Sequence, residues 1–356
     1  MSLCVALEIG LDQLQLGALS SHAGETPQYW AYGERLTAGA RLSEALDRIA
    51  NAFFRLIGHR PGADDLVLVS AGHAFHYARY HEAFGDLWQI CQRVFGGAEI
   101  RLVAADGQAS PLESLTGGAA DYLRFLETTF FGSAYLGLRL LNKGIVVDCG
   151  RHTTAVVPVS DGRIDPGLPY DFQHLFTRSR AGRLLWIGWE TPVAGAAGLV
   201  PPLSKPLSSG PTCGGIGALW YMQRTDGSQE MRRQVLSYLA QLMGNEGVPQ
   251  TVLQQVGEAL YACAVARLAR KLRTHIADAS GTPEVLLVGE GTPLAHAALT
   301  QAGLASSRIL APALASGPPP LRWSLFGLAL YGWEQLLGLN GPQLVRGPLV
   351  IGETSA

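Results

Sequence analysis

Charged residues and cysteines are scarce in this sequence. Asp, Glu, Lys and Arg make up 16% of the 356 residues, and the formal net charge is only −2. Because no basic stripe is present, nucleic acid is not expected to be the main partner. No two cysteines have the Cys-x-x-Cys spacing, which indicates reduced thiols rather than a disulfide framework. The cysteines are Cys4, Cys91, Cys149, Cys213 and Cys263.

Long hydrophobic runs are absent as well. Hydrophobic residues make up 47% of the chain, yet no run approaches the ~18–20 residues that a bilayer span needs. Residues 1–4 lack the basic region with which a secretory signal starts. These absences predict a cytoplasmic protein with no membrane partner. The low charge also predicts that the chain buries surface against another subunit, either a second copy or a related protein.

Several catalytic fingerprints are missing too. The chain has no Gly-x-Ser-x-Gly elbow, no P-loop, no zincin helix and no dinucleotide-binding glycine pattern after its first strand. These absences argue against hydrolase, P-loop nucleotidase and dinucleotide-dependent chemistry.

A strand that ends in an acid and a glycine is the most informative feature that is present. Residues 145–147 form a β-branched run that leads to Asp148, Gly150 follows in a turn, and Thr153 and Thr154 open a second apolar strand. The pattern predicts a hairpin. Backbone N–H groups of such a turn can cradle phosphate, while the carboxylate holds a divalent cation through water. In isolation, ordinary turn roles for these residues are the better explanation of the pattern.

Two other segments favour the ligand-binding interpretation. Residues 5–19 repeat the order of strand, acid, glycine, turn and strand, with Glu8, Gly10 and Asp12 at the turn. Residues 285–288 form a buried strand that runs into Gly289 and Gly291, and a helix is expected to start there. A glycine pair of this kind lets backbone approach a ligand closely, although the motif alone has low specificity.

The remaining pattern predicts an α/β chain with two lobes, since its length suffices for two cores. The lobes are expected at 1–140 and 141–356, with the last helix packed in the core, at an interface or back on the first lobe. Strands are expected at 66–69 and 100–104, and turn-like structure at 210–226. Helices are expected at 37–56, 80–94, 118–129, 229–243, 251–275 and 323–337.

The duplicated hairpin followed by the glycine turn resembles the actin-like ATPase and sugar-kinase superfamily. Within it, the chain is most similar to the hydantoinase/oxoprolinase-like proteins of the tetrahydromethanopterin-linked C1-transfer pathway. That group includes the synthase joining an (aminomethyl)furan diphosphate to a tyramine unit in methanofuran biosynthesis. The resemblance implies a two-lobed, ribonuclease H-like α/β fold with a cleft between the lobes. The residues that carry it are 148–154, 158–162, 182–188, 191–193, 267–270 and 289–291.

The chain also departs from that family. Glu8 stands where the first hairpin usually has aspartate, Leu11 replaces a second glycine, and no lysine follows. Residues 70–73 replace a threonine-rich turn with a glutamate, so His73 takes the place of the family's acid. Glu190 stands where an arginine usually precedes Thr-Pro. The fold expectation survives these changes, whereas the expectation of the same catalysis is weakened.

The resemblance implies a set of site residues. The implied catalytic residues are Asp148, His73 and Asp171, and the implied metal ligands are Glu8 and Asp148. The implied phosphate-binding residues are Gly10, Asp12, Gly150, Arg151, His152, Thr153, Thr154, Gly289 and Gly291. The implied substrate contacts are Trp186, Trp189 and Thr191. Plainer roles stay open: turn capping for Asp106 and Asp171, core packing for the tryptophans, and solvent exposure for Arg151 and His152.

Three functions follow from the resemblance. The first is a transferase that condenses an (aminomethyl)furan diphosphate with a tyramine-type acceptor and releases diphosphate, with Mg²⁺ as cofactor. The second is a non-catalytic homologue that assembles with an active subunit of the same one-carbon pathway. The third is an ATP-dependent small-molecule kinase, which is less favoured because no convincing catalytic base is present.

Overall fold

A computed structural model gives the fold for most of the chain. The residues it describes are 2–10, 13–22, 25–36, 41–72, 80–115, 122–126, 128–164, 184–185, 187–188, 215–223, 229–244, 247–278, 283–316, 319–320 and 322–349.

Strands and helices alternate along these residues. The strands are β1 (Ser2–Ile9), β2 (Gln13–Ser21), β3 (Gln28–Arg35), β4 (Leu66–Ala71), β5 (Glu99–Val103), β6 (Ala109–Pro111), β7 (Lys143–Cys149), β8 (Thr154–Ser160), β9 (Arg163–Ile164), β10 (Leu184–Leu185), β11 (Glu284–Val288), β12 (Ile309–Leu314) and β13 (Leu344–Pro348). The α-helices are α1 (Leu42–Ile57), α2 (Tyr80–Phe95), α3 (Phe131–Leu140), α4 (Ile216–Gln223), α5 (Gln229–Leu242), α6 (Gln250–Asp278), α7 (Thr292–Gln301) and α8 (Trp323–Tyr331). Short 3₁₀ turns cover Leu112–Leu115, Tyr122–Phe125 and Ser306–Arg308, and a π-helical turn covers Gly332–Leu336.

The described strands form two mixed sheets with the same internal plan. The first sheet has the order β3-β2-β1-β4-β5-β6, and the second has the order β10-β8-β7-β11-β12-β13 with β9 beside β8. In the first sheet, β1 pairs antiparallel with β2 and parallel with β4. In the second, β7 lies between β8 and a parallel β11. This repeated order, with helices packed on the strands, is the predicted two-lobed, actin-like α/β fold.

The chain divides into two compact units. One comprises Met1–Asn142, Pro158–Arg180 and Pro312–Arg346. The other comprises Lys143–Val157, Ala181–Ala311 and Gly347–Ala356. Each unit therefore takes one of the two hairpin turns, while the lobe boundary at 140–141 stays a prediction.

Helices cover both faces of the sheet in the first unit. On one face α1 packs against β2 and β3. Of its four apolar residues at helical spacing, Leu46, Ile49 and Phe53 are fully buried and Leu42 is partly buried. On the other face α8 packs against β1, β2 and α3. Leu325 lies over Gly17, where any side chain would collide with it.

The second unit has two apolar cores. The larger forms where α6 and α7 meet β7 and β11, and it includes Leu268, Val285 and Leu294. The smaller lies among α4, α5 and α6. No helix in the described part of the chain is long and apolar enough to cross a membrane.

Three predicted elements need correction. Within the predicted helix at 118–129, the described residues 122–126 and 128–129 carry only the short Tyr122–Phe125 turn, and a described helix comes later as α3. Residues 210–226 were expected to be turn-like, but α4 lies there. Its glycines suggested a loop, while burial of its apolar residues stabilises a helix with no polar face. The helix expected at 323–337 ends at Tyr331 and continues as the π-helical turn.

Candidate functional site

The turn of the second hairpin presents Asp148. Asp148 is the last residue but one of β7 and is partly exposed. The N–H of Gly150 donates to the carbonyl of Thr153 at 2.9 Å, which closes the turn between β7 and β8. The first hairpin closes in the same way, with Gly10 donating to Gln13 at 2.9 Å. The two turns are therefore equivalent, and Glu8 corresponds to Asp148.

Buried contacts of Cys149, Thr154 and Ile187 support the turn between β7 and β8. The Thr154 hydroxyl is fully buried, donates to the carbonyl of Ile187 at 2.5 Å and lies 3.2 Å from the Cys149 thiol. Burial raises the pKa of Cys149 to about 12, against a smaller lowering by the hydrogen bond with Thr154. This thiol is therefore protonated and chemically quiet at neutral pH. A phosphate contact from the Thr154 hydroxyl would require its bond to Ile187 to break.

A glycine also lets the backbone approach the turn closely. A Cβ on Gly188 would lie 2.6 Å from the carbonyl carbon of Arg151 and 2.7 Å from the carbonyl oxygen of Gly150. The segment around Gly188 therefore packs directly against the turn. Any larger residue at this position would displace the loop that carries Arg151.

The turn between β11 and α7 meets Asp148 from the other side. Val288 pairs with Asp148 in the parallel ladder, and Gly289 follows with a φ of 97°. A Cβ on Gly289 would lie 2.7 Å from Oδ1 of Asp148 and would collide with the Cys149 carbonyl. The N–H of Gly291 donates to that carbonyl at 2.7 Å. Both predicted glycines are thus where backbone must come closest to Asp148 and Cys149.

The first turn of α7 adds a polar edge to the site. Thr292 Oγ1 donates to the Gly289 carbonyl at 2.7 Å, and Pro293 occupies the first turn of the helix that was expected to start here. The N–H groups of Gly150 and Gly291 already bond to protein carbonyls. The contribution of these glycines to ligand binding is therefore close approach of backbone rather than donation of their own N–H groups.

Charges of both signs surround the turn. The Arg151 guanidinium Nε lies 3.7 Å from Oε2 of Glu290. The Arg151 side chain is only 4% exposed, whereas the Glu290 side chain is 35% exposed. His152 and Thr153 are partly exposed beside it. Asp148 and Glu290 give the site an acidic balance that a bound cation would offset.

The structure brings one group of predicted residues together. Residues 148–154 with Gly289 and Gly291 belong to the second unit, whereas Glu8 and Gly10 belong to the first. Their roles in ligand binding stay predictions. The other predicted site residues, His73, Asp12, Asp171, Trp186, Trp189 and Thr191, lie outside the described residues.

Glu8 and Asp106 have structural partners. Glu8 is 7% exposed, and its carboxylate accepts a hydrogen bond from the Ser324 hydroxyl at 3.1 Å. Asp106 accepts one from the Gln108 N–H at 3.0 Å and pairs with Arg124 at 2.9 Å. Asp106 thus has the turn-capping role that was left open for it.

Sequence reasoning missed three contacts of the site and its counterpart. Gly188 and Glu290 lay inside the quoted motifs, but their partners lie in the turn between β7 and β8, far away in the sequence. Ser324 carried no signal, because its contact with Glu8 joins residues 316 positions apart. A duplicated hairpin pattern points to the turns but not to the segments packed against them.

Comparison with known proteins supports the fold. No protein-family model and no curated protein matches the chain. It is similar to a nucleotide-free acetone carboxylase structure, solved to study ATP-dependent acetone carboxylation, at 8% identity over 92% of this chain and 70% of that one, with a TM-score of 0.52. It is also similar to ethanolamine utilization protein EutJ from Carboxydothermus hydrogenoformans (14%, 93% and 90%, TM-score 0.46). A third similar structure is the activator of 2-hydroxyisocaproyl-CoA dehydratase from Clostridium difficile with bound ADPNP (11%, 94% and 96%, TM-score 0.45). The acetone carboxylase similarity, with its TM-score of 0.52 and identity of 8%, shows a shared fold alone.

Proposed function

We propose that the second hairpin binds the diphosphate group of a small molecule as its magnesium complex. The observation that carries the proposal is the meeting of Asp148 with Gly289, where any side chain at position 289 would touch the carboxylate. Asp148 is partly exposed although it stands near the end of a buried strand. Such a strand end is where open α/β sheets bind ligands.

The donor set fits magnesium. Carboxylate oxygen is a ligand that Mg²⁺ prefers, and Mg²⁺ usually takes only one or two carboxylates beside phosphate and water oxygens. Among the described residues no three His, Cys, Asp or Glu side chains cluster as a metal cage, which agrees with that mode. Asp148 would hold the cation, and the partly exposed His152 and Thr153 would contact phosphate oxygens.

The family resemblance refines this proposal to a transferase. The substrates would be an (aminomethyl)furan diphosphate and a tyramine-type acceptor, and diphosphate would leave. Bound magnesium would neutralise charge on the leaving diphosphate. The protein would fix the diphosphate against the turn and orient the acceptor, so no covalent intermediate is required.

Isothermal titration with magnesium diphosphate tests this proposal. The wild-type chain is expected to bind, and Asp148→Asn is expected to bind at least about tenfold more weakly because the cation loses its charged ligand. Asp161→Asn is the matched control: Asp161 stands at the far end of β8 with a φ of 52°, which asparagine tolerates. No binding by the wild type, or equal binding by Asp148→Asn, would reject the proposal.

A parallel titration with magnesium ADPNP tests the kinase function, since ATP or its analogue is named for two structural neighbours.

A second function is favoured by the first hairpin. Glu8 is buried and bonded to Ser324, and the hairpin carries no lysine. The first of the two hairpins therefore lacks the groups expected to bind phosphate. This loss favours a non-catalytic subunit of a complex in the same one-carbon pathway. Recovery of the native protein with a related subunit would support this function. Turnover of both substrates by the isolated chain would eliminate it.

A further inference from the structure

The first unit contains a row of polar side chains that its fold does not require. Glu8 pairs with Gln15 on β2 and with Ser70 on β4, so the three side chains share one face of the sheet. In the second unit, Asp148 pairs with the apolar Val288. Ala155 takes the place of Gln15, because both hairpins close with the same turn bond. The fold therefore accepts apolar residues at these positions. It does not explain why the first unit has polar residues there.

Two members of the row, Gln15 and Ser70, are buried and have no side-chain hydrogen bond within the described structure. Gln15 and Ser70 are each 1% exposed. Within the described structure, both amide atoms of Gln15, the Ser70 hydroxyl and the Tyr29 hydroxyl have no hydrogen-bond partner. Buried polar groups are normally bonded, since leaving one unpaired is costly. These atoms together point to a bound group.

The N-terminal turn of α8 covers the row. Ser324 donates to Glu8, and the next residue, Leu325, packs at Gly17 beside the Tyr29 hydroxyl. The pKa of Tyr29 is raised by burial and, next, by the charge on Glu8. The Tyr29 phenol is therefore neutral, and it lies close enough to the Glu8 carboxylate for that charge to raise its pKa. Glu8, Gln15 and Ser70 thus line one niche, which we call the first-unit niche, and the Tyr29 hydroxyl lies near it beside Gly17.

The unpaired atoms define the chemistry of the occupant. Charge alone does not select an ion here, because Arg322 acts on the pKa of Tyr29 with the opposite sign to Glu8. A cation would satisfy the amide oxygen of Gln15 but leave its NH₂ without an acceptor. A neutral hydroxyl donates one hydrogen bond and accepts two, so it can bond to the Gln15 amide and to the Ser70 hydroxyl at once. The burial of Gln15 and Ser70 limits the part of the occupant that enters the niche to about the size of one hydroxyl group or one water.

We infer that the first-unit niche binds a small neutral hydroxyl group, either water or the hydroxyl of a small ligand, beside Glu8. The niche lies at the carboxyl ends of the parallel strands β1 and β4, where open α/β sheets place ligands. It belongs to the first unit alone and does not depend on the proposed diphosphate site.

Thermal unfolding of a variant with both polar groups removed tests this inference. Gln15→Met with Ser70→Ala keeps the packing volume nearly constant. An occupied niche predicts that the Tm falls by roughly 3–8 °C, because satisfied hydrogen bonds are lost. An empty niche predicts the opposite sign, since removing unpaired groups stabilises the fold. Thr128→Val calibrates the scale: its buried hydroxyl accepts the Ala71 N–H at 3.1 Å, so the Tm must fall.

A second measurement identifies the occupant. Titration with ethylene glycol is expected to raise the Tm of the wild type more than that of the double variant if a ligand hydroxyl binds. An equal effect on both proteins, together with the lower Tm of the variant, assigns the niche to water. An unchanged or higher Tm of the double variant overturns the inference. If the double variant does not fold, Ser70→Ala alone gives the same sign test.

Discussion

At the scale of single residues, Gly289 is the position on which the geometry around Asp148 depends most. We expect Gly289→Ala to weaken both folding and magnesium diphosphate binding. A side chain there needs an unfavourable positive φ and also meets Oδ1 of Asp148 and the Cys149 carbonyl. The first effect costs about 1–3 kcal/mol and the collision about as much again. Urea unfolding and titration calorimetry measure the two losses.

Gly303→Ala is the matched control for this substitution. Gly303 has a φ of 98°, and a Cβ there would meet nothing within 4 Å. It therefore reports the backbone cost without the collision. If both variants lose the same free energy of unfolding and bind magnesium diphosphate equally well, close packing at Gly289 has no role in folding or in binding.

The thiols give a second prediction at this scale. Burial raises the pKa of Cys149 to about 12, so about one molecule in 10,000 carries the thiolate at about pH 8. Cys263 is exposed, whereas Cys4 and Cys91 are buried with raised pKa values. Iodoacetamide labelling of the folded protein, read by peptide mass spectrometry, is expected to modify Cys263 far ahead of these three. Labelling of Cys149 should increase as the pH rises toward its pKa. Comparable labelling rates for Cys149 and Cys263 at about pH 8 would contradict the burial of Cys149 beneath the turn between β7 and β8.

At the scale of elements, the contact between α3 and α8 is set by two glycines. Gly132→Ala is expected to destabilise the protein by about 3 kcal/mol, because its Cβ would strike the Ser324 carbonyl and lie 2.7 Å from the Leu328 nitrogen. Gly327 meets the backbone of Gly132 in turn. Neither helix can shift without opening the core above β1. Urea unfolding with two spectroscopic probes measures the loss.

A glycine on another helix provides a control of opposite sign. Gly85 lies in α2, and a Cβ there would meet nothing within 4 Å. Gly85→Ala is expected to stabilise the protein by about 0.5–1 kcal/mol, because alanine loses less backbone entropy on folding. A stabilising Gly132→Ala would refute the close crossing of α3 and α8.

Elements with a clear period were predictable from the sequence, and those without one were not. Apolar residues at helical spacing located α1 within a few residues, and the strand–acid–glycine pattern located both hairpins. The sequence of α4 is apolar on every side, so its spacing carries no helical signal. The candidate site shows the same limit. Asp148 and Gly289 follow from local motifs, while Gly188 and Ser324 act through contacts that only the folded chain creates.

At the scale of the whole molecule, the first unit is assembled from distant parts of the chain. Ser324 bonds to Glu8 across 316 positions, and Phe326 packs edge-on against Tyr29 with ring centroids 5.0 Å apart. The π-helical turn after α8 continues this cover, since a Cβ on Gly332 would lie 2.6 Å from Leu68. One face of the first sheet is therefore buried by residues at the other end of the sequence. Folding of this unit must wait for contacts of very long range.

This dependence gives the last prediction. A fragment of residues 1–142 has both hairpin strands and α1 but lacks α8, so one sheet face would expose Cys4, Leu68 and their neighbours to water. We expect the fragment to show no cooperative thermal transition, because the apolar surface that α8 buries drives folding. Adding a peptide of residues 312–346 is expected to restore the transition and a near-ultraviolet circular dichroism signal. The same peptide with Leu325→Asp and Phe326→Asp is the control and should fail, because charges cannot be buried against Gly17 and Tyr29. Cooperative unfolding of the fragment alone would show that the unit forms its core without α8.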